Sequence, residues 1–131
     1  MKIEVAIGEV FDRITILDLK LKNIDDPSRL SYVETEKAML LKALKDDGLK
    51  IDKPLYDTLY LVNSKIWDTE AGFREKESKK EFDDQFIEFA RLNAKYNDER
   101  FVMKKNINEH YNSDIREQKS YNVLYEEDNS N

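Results

Sequence analysis

No cysteine occurs among the 131 residues, which removes disulfides and thiolate metal sites and leaves nothing to argue for an oxidising compartment. Histidine occurs once, at His110, so a histidine-rich zinc site is ruled out. A lone histidine near a helix end is more simply a charge partner for the last carbonyls than a catalyst. With three glycines in the whole chain there is no glycine-rich phosphate loop, and no nucleophile motif accompanies the serines. No apolar run approaches the roughly 20 residues that cross a bilayer. The first residues, Met1 to Ala6, carry Lys2 and Glu4 where a secretory leader would need an unbroken apolar segment. These absences predict no metal, no cofactor, no membrane partner and a cytoplasmic setting. Basic residues are also outnumbered, 22 against 28 acidic, and the formal charge of −6 repels a phosphate backbone, so no nucleic-acid partner is expected.

What the chain does have is charge and aromatic rings together. A composition 38% charged and 11% aromatic suits helices with one solvated face and one packed face. The length fits one domain, which buries about two-thirds of the surface its unfolded chain exposes. Lys2 to Ala6 alternate polar and apolar with β-branched Ile3 and Val5, and residues 1–7 read as a short extended arm. From Gly8 the period changes: Val10, Ile14, Leu17, Leu21 and Ile24 recur at steps of four and three, predicting a helix over 8–24. Asp25-Asp26-Pro27 stops it and opens a second over 28–47, with Leu30, Val33, Leu40, Leu41 and Leu44 inward and Gly48 at its end. Leu55, Leu59, Val62, Ile66 and Phe73 mark a third over 53–78, and Phe82, Phe86, Phe89, Tyr96, Met103 and Ile107 a fourth over 83–110. The expected architecture is an all-α, four-helix-bundle-like single domain with two long C-terminal helices and a short N-terminal extended arm. Residues 122–131 read as a flexible tail.

Polar side chains interrupt these stripes. On the fourth helix Asn93 and Arg100 fall among Phe82, Phe86, Phe89, Tyr96, Met103 and Ile107. A neutral amide left unpaired in a core costs on the order of 1 to 3 kcal/mol and a charge more, so both are expected to have partners. The third helix offers a mixed face of Tyr56, Tyr60, Asn63, Trp67, Glu70 and Arg74, and the first offers Glu9, Asp12, Arg13 and Lys20. Two readings follow. In one, Arg13, Arg74 and Arg100 pair with Glu9, Asp12 and Glu70 in a closed network that fixes helix register. In the other, Arg13, Asn63, Trp67, Glu70, Arg74, Asn93, Asn97, Arg100 and Lys104 surround a small anionic ligand, because guanidinium forks match carboxylate and phosphate and amides add neutral hydrogen bonds.

Four segments carry a resemblance: Gly8-Glu9-Val10-Phe11-Asp12-Arg13-Ile14-Thr15-Ile16-Leu17, Asn63 to Glu70 with Arg74, Asn97-Asp98-Glu99-Arg100 with Lys104 to Asn108, and Glu117-Gln118-Lys119-Ser120-Tyr121. Together they resemble an uncharacterised bacterial and viral domain family. Its members begin with a GE-x-x-D-[KR]-[IL]-T-IL segment, end near EKSY, and are sometimes encoded beside bacterial surface-polysaccharide genes. The resemblance covers nearly the whole chain and implies a fold without a reaction. Glu117-Gln118-Lys119 stands where the family pattern has a more compact Glu-Lys-Ser-Tyr, which leaves segment 113–125 without an assigned role.

Three functions remain in play. The first is a non-catalytic interaction protein whose long helices assemble as a homodimer. The second is a binding module or enzyme for a small anionic molecule such as a sugar phosphate or nucleotide sugar. The third is an all-α magnesium-dependent nucleotide pyrophosphohydrolase, for which Glu9 with Asp12, or Glu81 with Asp84, are carboxylates three apart on one helical face.

Overall fold

A computed structural model of the protein describes residues 1–124. An extended arm leads into four helices: α1 (Ile7–Asn23), α2 (Pro27–Asp46), α3 (Lys53–Lys79) and α4 (Asp84–His110), with no strand among the described residues. The chain is therefore all-α, and its two long helices are the C-terminal pair. Each spans 27 residues, about 40 Å at the α-helical rise. No helix among the described residues is long and apolar enough to cross a membrane. From residue 125 onward the tail expected over 122–131 lies outside the described residues.

Three of the helices start on local chemistry. The Asp26 carboxylate accepts from the Ser28 N–H with Pro27 in the first turn, Asp52 accepts from the Leu55 N–H with Pro54 behind it, and Asp83 accepts from the Phe86 N–H. Helix α1 has no such cap, because Ala6 occupies the cap position. Its first free donors are satisfied from the far end of the chain instead: the Ile7 N–H reaches Ser113 Oγ at 3.1 Å and the Gly8 N–H reaches Asn108 Oδ1 at 2.7 Å. Glycine is required there, since a Cβ on residue 8 would stand 2.7 Å from the Lys104 carbonyl oxygen.

The shortest helix is also the central one, and α1 packs against each of the other three. Its Phe11 and Ile14 are buried with Leu44, Leu59, Val62 and Ile107 in one core. Removing each such side chain from water contributes about 1.5 to 3 kcal/mol. Tyr111 closes the base of this core: its ring lies 5.2 Å from that of Phe11, and its hydroxyl accepts from the Asp52 N–H and donates to the Lys50 carbonyl. Helices α3 and α4 run alongside each other as a hairpin longer than α1 can cover. Buried residues of this pair cluster where α1 crosses, at Leu59, Val62, Asn63 and Thr69 on α3 and Asp98, Lys104, Ile107 and Asn108 on α4. Between residues 70 and 97 no residue is fully buried. After α4 the chain, residues 113–124, has no regular secondary structure and returns along α4, held by Glu117 on Lys104 and by the Leu124 N–H on the Asp98 carboxylate.

Candidate functional site

The polar residues that interrupt the apolar stripes meet where α1, α3 and α4 cross. Asp12, 3% exposed, sits at the centre. Arg100 grips it with both arms of its fork, Nε to Oδ1 at 2.9 Å and Nη2 to Oδ2 at 2.5 Å. The Asn63 amide donates to Asp12 Oδ1 at 2.9 Å and to Thr15 Oγ1 at 2.8 Å, and the Thr15 hydroxyl donates to the Asp12 carbonyl. Asp12 holds the Arg100 guanidinium charged against the cost of its burial, so its pKa lies above the ordinary value. A buried carboxylate with a bidentate partner and one further donor, the Asn63 amide, is a closed arrangement.

One turn further along α4 lies a second cluster. Lys104 Nζ, on a side chain 10% exposed, is 2.6 Å from Glu9 and 2.9 Å from Glu117. Burial opposes the charge of Lys104, but Glu117 and Glu9 outweigh it and the pKa is raised. Burial likewise opposes the charge of Glu117, yet Lys104 and Lys119 hold that carboxylate down to about 2. Lys119 Nζ stands 2.7 Å from Glu117 and over the Phe101 ring. Beside these groups a cavity of about 170 Å³ opens between α4 and the returning segment, lined by Asn97, Arg100, Phe101, Lys104, Lys119 and Tyr121 among others.

A different opening lies on the other side of Arg100. A groove of about 380 Å³ between α1 and α3 is walled by Ile16, Leu19, Ile66, Trp67 and Ala71, with Asn63, Glu70, Arg74 and Arg100 at its polar edge. The nine residues singled out in the sequence thus divide. Asn63, Trp67, Glu70, Arg74 and Arg100 share the groove, Asn97, Arg100 and Lys104 share the cavity, and Arg100 belongs to both. Arg13 lies elsewhere, turned outward onto Glu36 of α2. Arg74 is an exposed rung with Glu70 at 2.8 Å along its own helix. Asn93 is half-buried and gives its backbone carbonyl to the Asn97 amide at 2.8 Å. His110 stands 3.7 Å from Asp52, at the end of α4.

Three of the four carboxylates considered for magnesium are engaged by cations of the chain, Asp84 being the exception among the described residues. Glu9 faces Lys104, Asp12 faces Arg100, and Glu81 faces Lys76. Among the described residues no group of three or more His, Asp or Glu side chains converges closely enough to hold a metal ion. Sequence reasoning missed the roles of Asn108, Glu117, Lys119 and Tyr121. A signal for the first was present: Asn97, Arg100, Lys104 and Asn108 recur at steps of three, four and four, a polar stripe beside the apolar one on α4. The returning segment has no periodicity and offered no equivalent.

A family model described as a family of unknown function, DUF6165, matches residues 1–129. No curated protein and no solved structure matches the chain. The four sequence segments that carry the resemblance noted above come together in space: Gly8, Glu9 and Asp12, then Asn63, then Arg100, Lys104 and Asn108, then Glu117 and Lys119, form the contiguous polar assembly just described.

Proposed function

We propose that this chain, which belongs to that family of unknown function, is a non-catalytic interaction protein that works as a homodimer, paired through the distal half of its α3–α4 hairpin. The observation that carries the reading is the stretch from residue 70 to residue 97, where nothing is fully buried although Phe73, Phe82, Phe86, Ile87, Phe89, Leu92 and Tyr96 all lie there. Two helices side by side have no third surface on which to bury such residues. Phe73 and Phe82 pack against the edge of Phe86 at 4.7 and 5.2 Å, yet Phe82 remains 59% and Ile87 55% exposed. An apolar patch of this kind, rimmed by charge, is the ordinary mark of an interface. Two hairpins brought together supply the four helices that enclose a core, and the groove at Trp67, Ile66 and Ala71 continues onto the same helices. The lack of cysteine fits a cytoplasmic setting for such an assembly.

Light scattering in line with size exclusion tests it. The expected mass is twice the 15.6 kDa of one chain, and Phe86→Asp is expected to give a helical monomer. A wild-type chain that stays monomeric at every concentration examined would overturn the proposal.

A small-anion site is the second reading. What favours it is the cavity beside Arg100, Lys104 and Lys119, where three cationic side chains outnumber the two carboxylates, Asp98 and Glu117, that also line the open volume.

A further inference from the structure

Lys104 is a mostly buried cation that depends on anions for its place in the fold. Of its two partners, Glu9 sits on α1, whose position is fixed by the core, whereas Glu117 comes from a segment with no regular structure. Either carboxylate can rotate away, and the Glu9 side chain at 43% is the more exposed of the two, but of the pair only Glu117 lines the cavity beside Lys104. The Glu117 side chain is 25% exposed, so a route to solvent exists. Its fit is also incomplete: Oε2 lies 2.9 Å from Lys104 Nζ but is buried without a hydrogen bond of good geometry. A carboxylate oxygen in that state forgoes stabilisation that a better placed oxyanion recovers. Next to it the cavity of about 170 Å³ has room for several waters. Asn97, Arg100 and Tyr121 line it together with Glu117.

We propose that Glu117 is a resident anion, a carboxylate of the chain itself seated in an oxyanion site on Lys104, and that a small phosphate-bearing or carboxylate-bearing molecule binds by taking its place. The exchange conserves charge, which is why it can proceed at a buried lysine: one anion leaves Lys104 as another arrives, and the ammonium is never left alone in a medium that penalises it. Lys119 stays on the outer wall, where it meets either the incoming group or the displaced carboxylate. This inference rests on the second reading of the preceding subsection and is independent of dimerisation.

The test uses inorganic phosphate as probe, with chloride at matched ionic strength as control, and follows the backbone amide resonances of residues 97 to 121 in the full chain. Wild-type protein is expected to show saturable shifts around Lys104 and Glu117 with phosphate and none with chloride. In Glu117→Gln, which keeps the shape and removes the competing charge, phosphate is expected to bind at least about tenfold more tightly, the factor that corresponds to loss of one charge-assisted contact. Lys104→Met is expected to abolish the shifts. If phosphate acts no differently from chloride on both wild type and Glu117→Gln, the anion site itself is refuted. If phosphate binds but Glu117→Gln gains no affinity, the site stands and the resident-anion idea is overturned. Should Glu117→Gln fail to fold, the wild-type titration decides through Glu117 itself, whose carboxyl carbon resonance must move on phosphate binding; an unmoved resonance refutes displacement.

Discussion

At the scale of single residues, two arginines that sequence spacing treats alike have different weights. Arg100 holds the buried Asp12 with a bidentate grip, while Arg13 and Glu36 form a pair whose side chains are 45% and 41% exposed. Truncating Arg100 to alanine strands a charge in the core and is expected to cost about 3 to 5 kcal/mol. Truncating Arg13 removes a solvent-screened pair and is expected to cost about 1 kcal/mol or less. Urea unfolding of the two variants checks the contrast, and equal losses would mean that Asp12 is not the hub described. The need of Arg100 for a partner was legible because it interrupts an apolar series on its own helix. Which partner it takes was not, since helical period fixes the face of a residue and says nothing about the rotation of the neighbouring helix. Arg13 shows the limit: it adjoins Asp12 in sequence but is turned 100° around α1, toward α2.

At the scale of elements, the four helices were readable because their signals are local. A run of apolar residues at steps of three and four, an aspartate before a proline, and a glycine at a terminus each act within one or two turns. The start of α1 is the exception, as its cap is supplied by Asn108 and Ser113 from the other end of the chain. That makes the two helical glycines unequal. A Cβ at Gly8 meets the Lys104 backbone oxygen at 2.7 Å, and a Cβ at Gly72 meets the Phe89 ring at 2.5 Å. A half-buried ring at the open hairpin has room to turn, whereas a carbonyl within α4 does not. Gly8→Ala is therefore expected to destabilise by about 1 to 3 kcal/mol. Gly72→Ala is expected to cost less, because the gain in helix propensity of up to about 1 kcal/mol offsets part of the clash. Circular dichroism melts of both variants check the order, and a reversed order would contradict the close seating of α1 on α4.

For the whole molecule, the acidic excess shapes the response to pH. Glu117 is held near 2 in the folded chain against 4.5 for an unperturbed glutamate. A carboxylate depressed on folding contributes stability that is fully present above its unfolded pKa and is lost as the pH falls toward its folded one. Stability measured from neutrality down to pH 2 is therefore expected to fall between about pH 4.5 and 2, and Glu117→Gln is expected to flatten that part of the profile. An unchanged slope would place the acid sensitivity elsewhere. The helical architecture was visible in the sequence as a whole, yet the cavity and the returning segment were not, because they depend on contacts between residues that no periodic pattern links.

The pairs that complete α1 are separated by 88, 100 and 106 positions, at Asp12 with Arg100, Gly8 with Asn108 and Ile7 with Ser113. During synthesis the first helix leaves the ribosome long before anything exists to neutralise its buried acid or cap its exposed donors. A nascent chain stopped short of α4 therefore holds an aspartate that cannot be desolvated, and the folding of α1 waits until α4 has been made. The central helix, made first, is the last to become stable.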